Sequence, residues 1–273
     1  MSPQPRIVLL CHADEPFDRE GLSAWLAGVA NLAGIIVISG SRGRRWRAVV
    51  REWRRRGLIA LCDVLAFRAW YALRYGARDR VWTRAAINRL RLHGGDVSGV
   101  PTVIVQDPNG AGACAFLDRT APDLVVARCK QLLTPRVFER PRAGVVVLHP
   151  GICPEYRNAH GCFWALVNRD LARVGLTVLR IDRGIDTGPI YFQASCDVDE
   201  DQESHIVIQQ RVVIEHLREI ADVLAGIADG TAAPIATLGR RSAVWGQPTF
   251  TAYLRWQRAM RHLRRATRES TAS

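Results

Sequence analysis

Lysine is almost missing from this chain: of its 38 lysine and arginine residues only Lys130 is lysine, so the net charge of +12 is carried by arginine. That uniformity reads as a compositional bias on every surface, rather than as one patch shaped for a polyanion. Long apolar runs are lacking too. None approaches the roughly 20 residues that a membrane-spanning helix requires. The five apolar residues from Ile7 are shorter than a secretory core and no small-residue cleavage site follows them, so no signal peptide is expected and the reading is cytoplasmic. The seven cysteines, at 11, 62, 114, 129, 153, 162 and 196, are odd in number and contain no C-x-x-C pair. A disulfide framework and a structural metal site are therefore not expected. Repeats and low-complexity tracts are absent, and 48% hydrophobic with 23% charged residues is an ordinary globular balance.

What is present is unevenly distributed. Eight arginines fall between Arg42 and Arg56, and six between Arg255 and Arg268. Solvated or partner-facing helices explain such runs most simply. An anionic substrate or peripheral membrane contact is the sharper reading, and nucleic acid the least favoured.

Ile7–Cys11 is a short apolar run that ends in His12, Asp14 and Glu15, as a buried parallel strand followed by a functional loop would. Gly21–Ala33 has helical spacing, and Ile35–Ile38 reads as a second strand, so the three predict a crossover within a parallel sheet. Residues 41–93 break this rhythm with a basic helix, an apolar stretch over Leu58–Tyr75 expected to pack on the sheet, and another arginine-rich segment. An interfacial helix is the alternative for Leu58–Tyr75. The sheet pattern resumes at Thr102–Val105, followed by a helix over Gly110–Arg119 and strands at Leu124–Ala127 and Gly144–Leu148. A helix over Asn158–Asp170, a strand over Thr177–Ile181 and one long helix over Glu203–Ala228 complete an α/β domain of residues 1–229. Residues 230–273 form a turn-rich loop and a basic helix from Phe250. The expectation is a Rossmann-like, mostly parallel sheet with helices on both faces, plus a helical C-terminal extension.

Two polar residues stand out in this frame. His149 ends a strand and is followed by Pro150-Gly151, where open α/β sheets bind ligands. Asp186 lies in the glycine-flanked turn Gly184-Ile185-Asp186-Thr187-Gly188. An imidazole and a carboxylate meeting in a cleft can move protons, and glycine-rich loops let a flat ligand approach the backbone.

The stretch from His149 to Gln193 resembles the formyltransferases that use 10-formyltetrahydrofolate, among them glycinamide ribonucleotide, methionyl-tRNA and sugar-amine formyltransferases. The residues that carry the likeness are His149-Pro150-Gly151-Ile152-Cys153-Pro154-Glu155-Tyr156-Arg157-Asn158, then Gly175-Leu176-Thr177, then Asp186-Thr187-Gly188-Pro189-Ile190 and Gln193. The resemblance implies that an acceptor amine attacks the formyl carbon of the folate while His149 handles protons and Asp186 positions it. It also implies that Arg128, Cys129, Lys130, Gly184, Ile185, Thr187 and Gly188 lie on the folate side, with Tyr156, Arg157 and His160 shaping the acceptor side. Cys129 reads as a small filler, Asp182 as a surface carboxylate, and Ser204 as the cap of the following helix, with His205 behind it.

The family pattern has an oxyanion-stabilising asparagine two residues before the histidine. Here that position is Val147, which has no side-chain donor. Loss of such a donor typically costs about 2.7–4 kcal/mol of transition-state stabilisation. Three accounts stay open: a substitute donor, with Asn158 and His160 as candidates; a different reaction, such as formate release by water; or a folate- or nucleotide-binding protein without chemistry. The expected acceptor is a small amine, with an anionic one as an open alternative, and a homo-oligomer is left open. A tRNA acceptor is disfavoured because the segment after Gly230 is too short for the β-barrel of the tRNA enzymes.

Overall fold

The computed structural model describes residues 4–40 and 57–271, with side chains as far as residue 264. The arginine run at 42–56, and the basic helix expected there, lie outside the described residues.

Strands β1 (Arg6–His12), β2 (Asn31–Ile38), β3 (Thr102–Val105), β4 (Leu124–Arg128) and β5 (Val145–Pro150) run parallel in the order β3-β2-β1-β4-β5. A two-residue strand β6 (Arg157–Asn158) lies outside this sheet. Strands β7 (Gly175–Arg180) and β8 (Ile190–Ser195) extend the main sheet antiparallel beyond β5. The chain therefore has the expected mostly parallel sheet, and β8, absent from the sequence reading, completes its edge.

The alternation of side chains along a strand explains the two covered faces. Ile7, Leu9 and Cys11 of β1 point into one core, with Leu22, Leu26, Leu90, Val212 and Leu224. Val8 and Leu10 point into the other, with Phe116, Leu117 and Val137. All five are at most 1% exposed, so the strand has no polar position to give away.

Four expected elements differ in detail. In place of a helix over Gly21–Ala33, a π-helical turn (Phe17–Leu22) runs into a short helix (Ser23–Val29), and Ala30 is extended. Leu32 therefore belongs to β2, where it is buried. The helix expected over Asn158–Asp170 is shorter, Gly161–Val167, because the preceding residues are held in the site loop described below. The expected long helix divides into His205–Glu215 and Leu217–Asp229 at His216, whose φ is −118° and whose imidazole Nδ1 lies 2.9 Å from the Val212 carbonyl. Ser204 does cap the first of these, accepting from Val207 N at 3.1 Å.

The fourth correction concerns Leu58–Arg74. This helix packs not on the sheet but against the C-terminal helix Phe250–Thr271 and the Gly161–Val167 helix. Phe67 packs at a tilt against Phe163 and Tyr253, with ring centroids 5.2 and 5.9 Å away. These contacts build a third core of Phe67, Tyr156, Phe163, Tyr253, Trp256 and Met260 beyond the end of the sheet.

The candidate active site

The site forms where β5 leaves the sheet. His149 is the penultimate residue of β5 and is only 3% exposed. The loop after it doubles back so tightly that its ends touch. A Cβ on Gly151 would lie 2.7 Å from the Gly161 Cα, and Gly151 has a φ of +137°, so both space and conformation require glycine there.

A buried hydroxyl fixes this loop to the sheet. Thr177 of β7 donates to the Gly151 carbonyl at 2.7 Å and accepts from Cys153 N at 3.0 Å and from Gln193 Nε2 at 3.1 Å. Hydrogen bonds made inside the fold cost most when one partner is removed, so this hub sets the loop's position.

The loop closes on His149 and brings Asp186 to it. His149 Nε2 lies 2.7 Å from the Tyr156 carbonyl, and Nδ1 lies 3.4 Å from Asp186 Oδ2. The same Asp186 oxygen accepts from Asn158 N at 2.7 Å. Both partners of the imidazole are acceptors, so the ring satisfies them together only when both nitrogens carry protons. A neutral ring keeps its proton on Nε2 and presents Nδ1 as an empty proton site beside the carboxylate.

Backbone conformation marks the same place. Among the described residues five non-glycine positions have positive φ, and three of them, Asn158, His160 and Asp186, belong to this constellation. Such conformations cost energy and persist where the surroundings over-determine them, commonly at functional sites.

The Asp186 turn has its own brace. Asp182 accepts from Gly184 N at 2.8 Å and from Thr187 Oγ1 at 2.7 Å, so this carboxylate shapes the turn rather than simply decorating the surface. Arg157 Nη1 donates to the Ile185 carbonyl at 3.0 Å and ties the turn to the loop. Gly188 passes so close to the Arg180 carbonyl that a Cβ there would lie 1.9 Å from its oxygen.

Two side-chain nitrogens in the wall are buried without a protein partner: Arg157 Nε and His160 Nδ1. Burial, reinforced by the charges of Lys130 and Arg68, lowers the His160 pKa to about 4. His160 is thus neutral near pH 7. Its ring centroid lies 5.6 Å from that of His205, which burial also keeps neutral.

The other residues singled out from the sequence are placed unequally. Arg128 ends β4 beside His149, bonding to Asp18 at 2.9 Å and to the Leu148 carbonyl. Lys130 donates from its backbone N to His12 Nε2 at 3.1 Å, while its ammonium pairs with Glu15. Burial pushes the Cys129 thiol up to about 11, so it is not a thiolate at neutral pH. Asn158 directs its side-chain amide to the Trp245 carbonyl. Val147 packs against Cys153, Leu179 and Ile190, so the position lacking the asparagine is filled by apolar contact.

Sequence reasoning missed a clamp from the C-terminal loop. A short strand β9 (Val244–Trp245) pairs in parallel with β6, and Trp245 stacks on Trp164 with ring centroids 5.0 Å apart. Arg240 donates to both Glu155 oxygens, to Gln193 Oε1 at 2.9 Å and to the Cys153 carbonyl at 2.8 Å. Burial would raise the Glu155 pKa, but these bonds hold it below its ordinary value. The available signal was slight: an acidic residue between a proline and a tyrosine, and an arginine pair in a distant turn.

Residues 110–223, which span β4, β5, β7, β8 and both residues of the pair, match the family model described as Formyl transferase. That match covers less than half of the chain. Human mitochondrial 10-formyltetrahydrofolate dehydrogenase is 32% identical over 108 residues, 40% of this chain and 12% of that protein. A methionyl-tRNA formyltransferase of Pelobacter propionicus is 29% identical over 134 residues, 48% of this chain and 41% of that protein. The chain thus matches less than half the length of these curated relatives.

Beyond the matched segment the likeness is one of fold. A phosphoribosylglycinamide formyltransferase from Anaplasma phagocytophilum superposes with a TM-score of 0.53 at 14% identity, covering 90% of this chain and 100% of that one. A sugar N-formyltransferase from a Shewanella species does so with a TM-score of 0.51 at 14% identity, covering 88% and 76%. The formyltransferase fold expected for the α/β domain is thus matched over most of the chain.

Proposed function

We propose that this protein transfers a formyl group from 10-formyltetrahydrofolate to the primary amine of a small acceptor. The observation that carries the reading is the buried contact of His149 with Asp186, placed by β5 and a braced turn inside the segment that matches the formyl transferase model. Support for a bound polar ligand comes from the unspent buried nitrogens of Arg157 and His160 in the wall beside the pair. When bound, the formyl donor supplies the activated one-carbon group.

The chain's own residues have three tasks in this reading. His149 takes up the proton released by the acceptor amine, at Nδ1, Asp186 stabilises the resulting imidazolium, and the proton then passes to the folate nitrogen that gives up the formyl group. Tyr156 holds the opposite edge of the ring through its carbonyl. His160 takes the donor role left empty at Val147: it is neutral and has an unpartnered buried nitrogen, whereas the side chain of Asn158 is engaged with Trp245.

The test is incubation of the protein with 10-formyltetrahydrofolate, with and without a panel of amines including amino-sugar nucleotides and glycinamide ribonucleotide, following tetrahydrofolate and formate. Acceptor-dependent tetrahydrofolate release without formate is expected. Formate released at the same rate with no amine present would replace transfer by hydrolysis. Saturable binding with neither product would replace it by a binding role.

A further inference from the structure

The Leu58–Arg74 helix and its neighbour, Gly76–His93, have a surface that the site does not use. Five large apolar side chains of the first helix are open to solvent: Ile59 (88%), Leu73 (86%), Leu58 (60%), Leu65 (44%) and Trp70 (39%). At 100° per residue, Leu58, Cys62, Leu65, Ala69 and Leu73 fall within about 80° of arc. Ile59, Ala66 and Trp70 widen the stripe to about 140°, with no charged residue inside it. Scattered exposed apolar residues are ordinary, but a continuous stripe marks an interaction face.

The surrounding charge is of one sign. Residues 58–93 contain seven arginines, 68, 74, 78, 80, 84, 89 and 91, and all are exposed. Against them stand two carboxylates, both engaged within the fold. Asp63 accepts from Thr251 N at 2.9 Å and from its hydroxyl. Asp79 is buried and bonded to Tyr71 and Ser204. Glu20 lies 3.7 and 3.9 Å from Arg84 and Arg91, and Asp79 lies 3.8 Å from Arg78, leaving the other four without a close carboxylate among the described residues.

We propose that this face docks on an anionic lipid bilayer, with the helix lying in the interfacial plane. The stripe would enter the headgroup and acyl boundary, and Arg74, Arg78 and Arg80 would meet lipid phosphates. At 17 residues, and with no helix among the described residues long and apolar enough to cross, the mode is lying on a membrane rather than spanning it. A second copy of this chain would bring like charges together, which opposes self-association through this face. A nucleic acid would leave the aliphatic stripe in water. The other side of the same helix carries Phe67 against Phe163 and Tyr71 against His205, so the docking face and the site wall share one helix.

Co-sedimentation of the full chain with vesicles tests this. Vesicles of phosphatidylglycerol and phosphatidylcholine should pellet the protein about tenfold more strongly than phosphatidylcholine alone. Ile59→Asp with Leu73→Asp should reduce pelleting by about tenfold or more at low salt, because insertion scales with buried apolar area. Both positions are exposed, so the thermal unfolding curve should match that of the parent. Arg78→Gln with Arg80→Gln should weaken binding only to the anionic vesicles. The proposal is overturned by absence of vesicle binding, by binding indifferent to the Ile59 and Leu73 changes, or by a vesicle-free dimer that those changes dissolve.

Discussion

Residues 145–195 and residues 57–93 meet where Phe67 packs on Phe163 but are built on opposite rules. In the first region nearly every polar atom near His149 is spoken for by a partner at fixed distance, and glycines permit backbone contacts that no side chain would survive. In the second, apolar side chains lie in water and arginines line their rim. The first arrangement gives up tolerance for geometry, as a reaction demands. The second has little internal geometry to protect and leaves its surface for something outside the chain. Substitutions in the first region should therefore act on chemistry or on loop placement, whereas those at the contact between the two should act on stability alone.

The sharpest separation comes from His149→Ala, which should lower kcat/KM by about 10²–10⁴, the usual contribution of a positioned acid-base group. Its unfolding midpoint should move little by comparison. A variant that keeps full turnover would detach the pair from the reaction. His160→Ala should cost somewhat less, about 10²-fold, as the loss of one oxyanion donor does. His160→Gln, which keeps a donor, should recover part of it; equal rates in the two variants would return the Val147 problem unsolved.

Arg240→Ala tests whether the C-terminal loop belongs with the first region. Its loss leaves Glu155, 8% exposed, with Arg173 at 3.5 Å as its remaining ion-pair partner. Arg240 is itself partly exposed, so the cost should be about 1–3 kcal/mol by urea unfolding, below that of a fully buried pair. KM for the acceptor should rise as well, because Arg240 holds the Cys153 carbonyl at the base of the site loop.

Tyr71→Phe addresses the seam between the regions. The phenol donates to Asp79, which also accepts from Ser204, the cap of the His205–Glu215 helix. Removing the donor from a buried carboxylate should cost about 1–3 kcal/mol and leave kcat unaffected. A fall in kcat without loss of stability would mean that the seam transmits to the site.

What was legible in the sequence follows the same division. The β-branched runs of β1, β2, β4 and β5 announce themselves because both faces of a parallel sheet are buried and no polar residue is tolerated. His149, Asp186 and their glycines were legible because tight turns and a close backbone approach admit few residue types. Thr177 was visible only within a motif, since its value lies in three partners from separate strands and loops. Arg240 and Glu155 are 85 residues apart and belong to no periodic pattern, so only the fold reveals them as a pair. The division of the long helix at His216 escaped for a similar reason: the apolar stripe runs through the break, and periodicity registers the stripe but not the break.

The smallest expected effect is a slope. Burial lowers the His160 pKa from its ordinary 6.5 to about 4, and lowers His205 in the same direction. Between these values the unfolded chain binds protons that the folded chain refuses, so acidification favours unfolding. Stability from this source is complete above about pH 6.5 and is lost as pH falls towards about 4. Lowering the pH from 7 to 5.5 should therefore depress Tm by about 2–4 °C through His160 alone, with His205 adding to it, and His160→Gln should flatten part of that slope by removing one titrating group. Since His160 belongs to the site loop and His205 to the helix that Tyr71 and Phe67 touch, the variant also apportions the acid sensitivity. A slope that survives it unchanged would place the sensitivity on the His205 side of the seam, with the 57–93 helices, and not on the loop around His149.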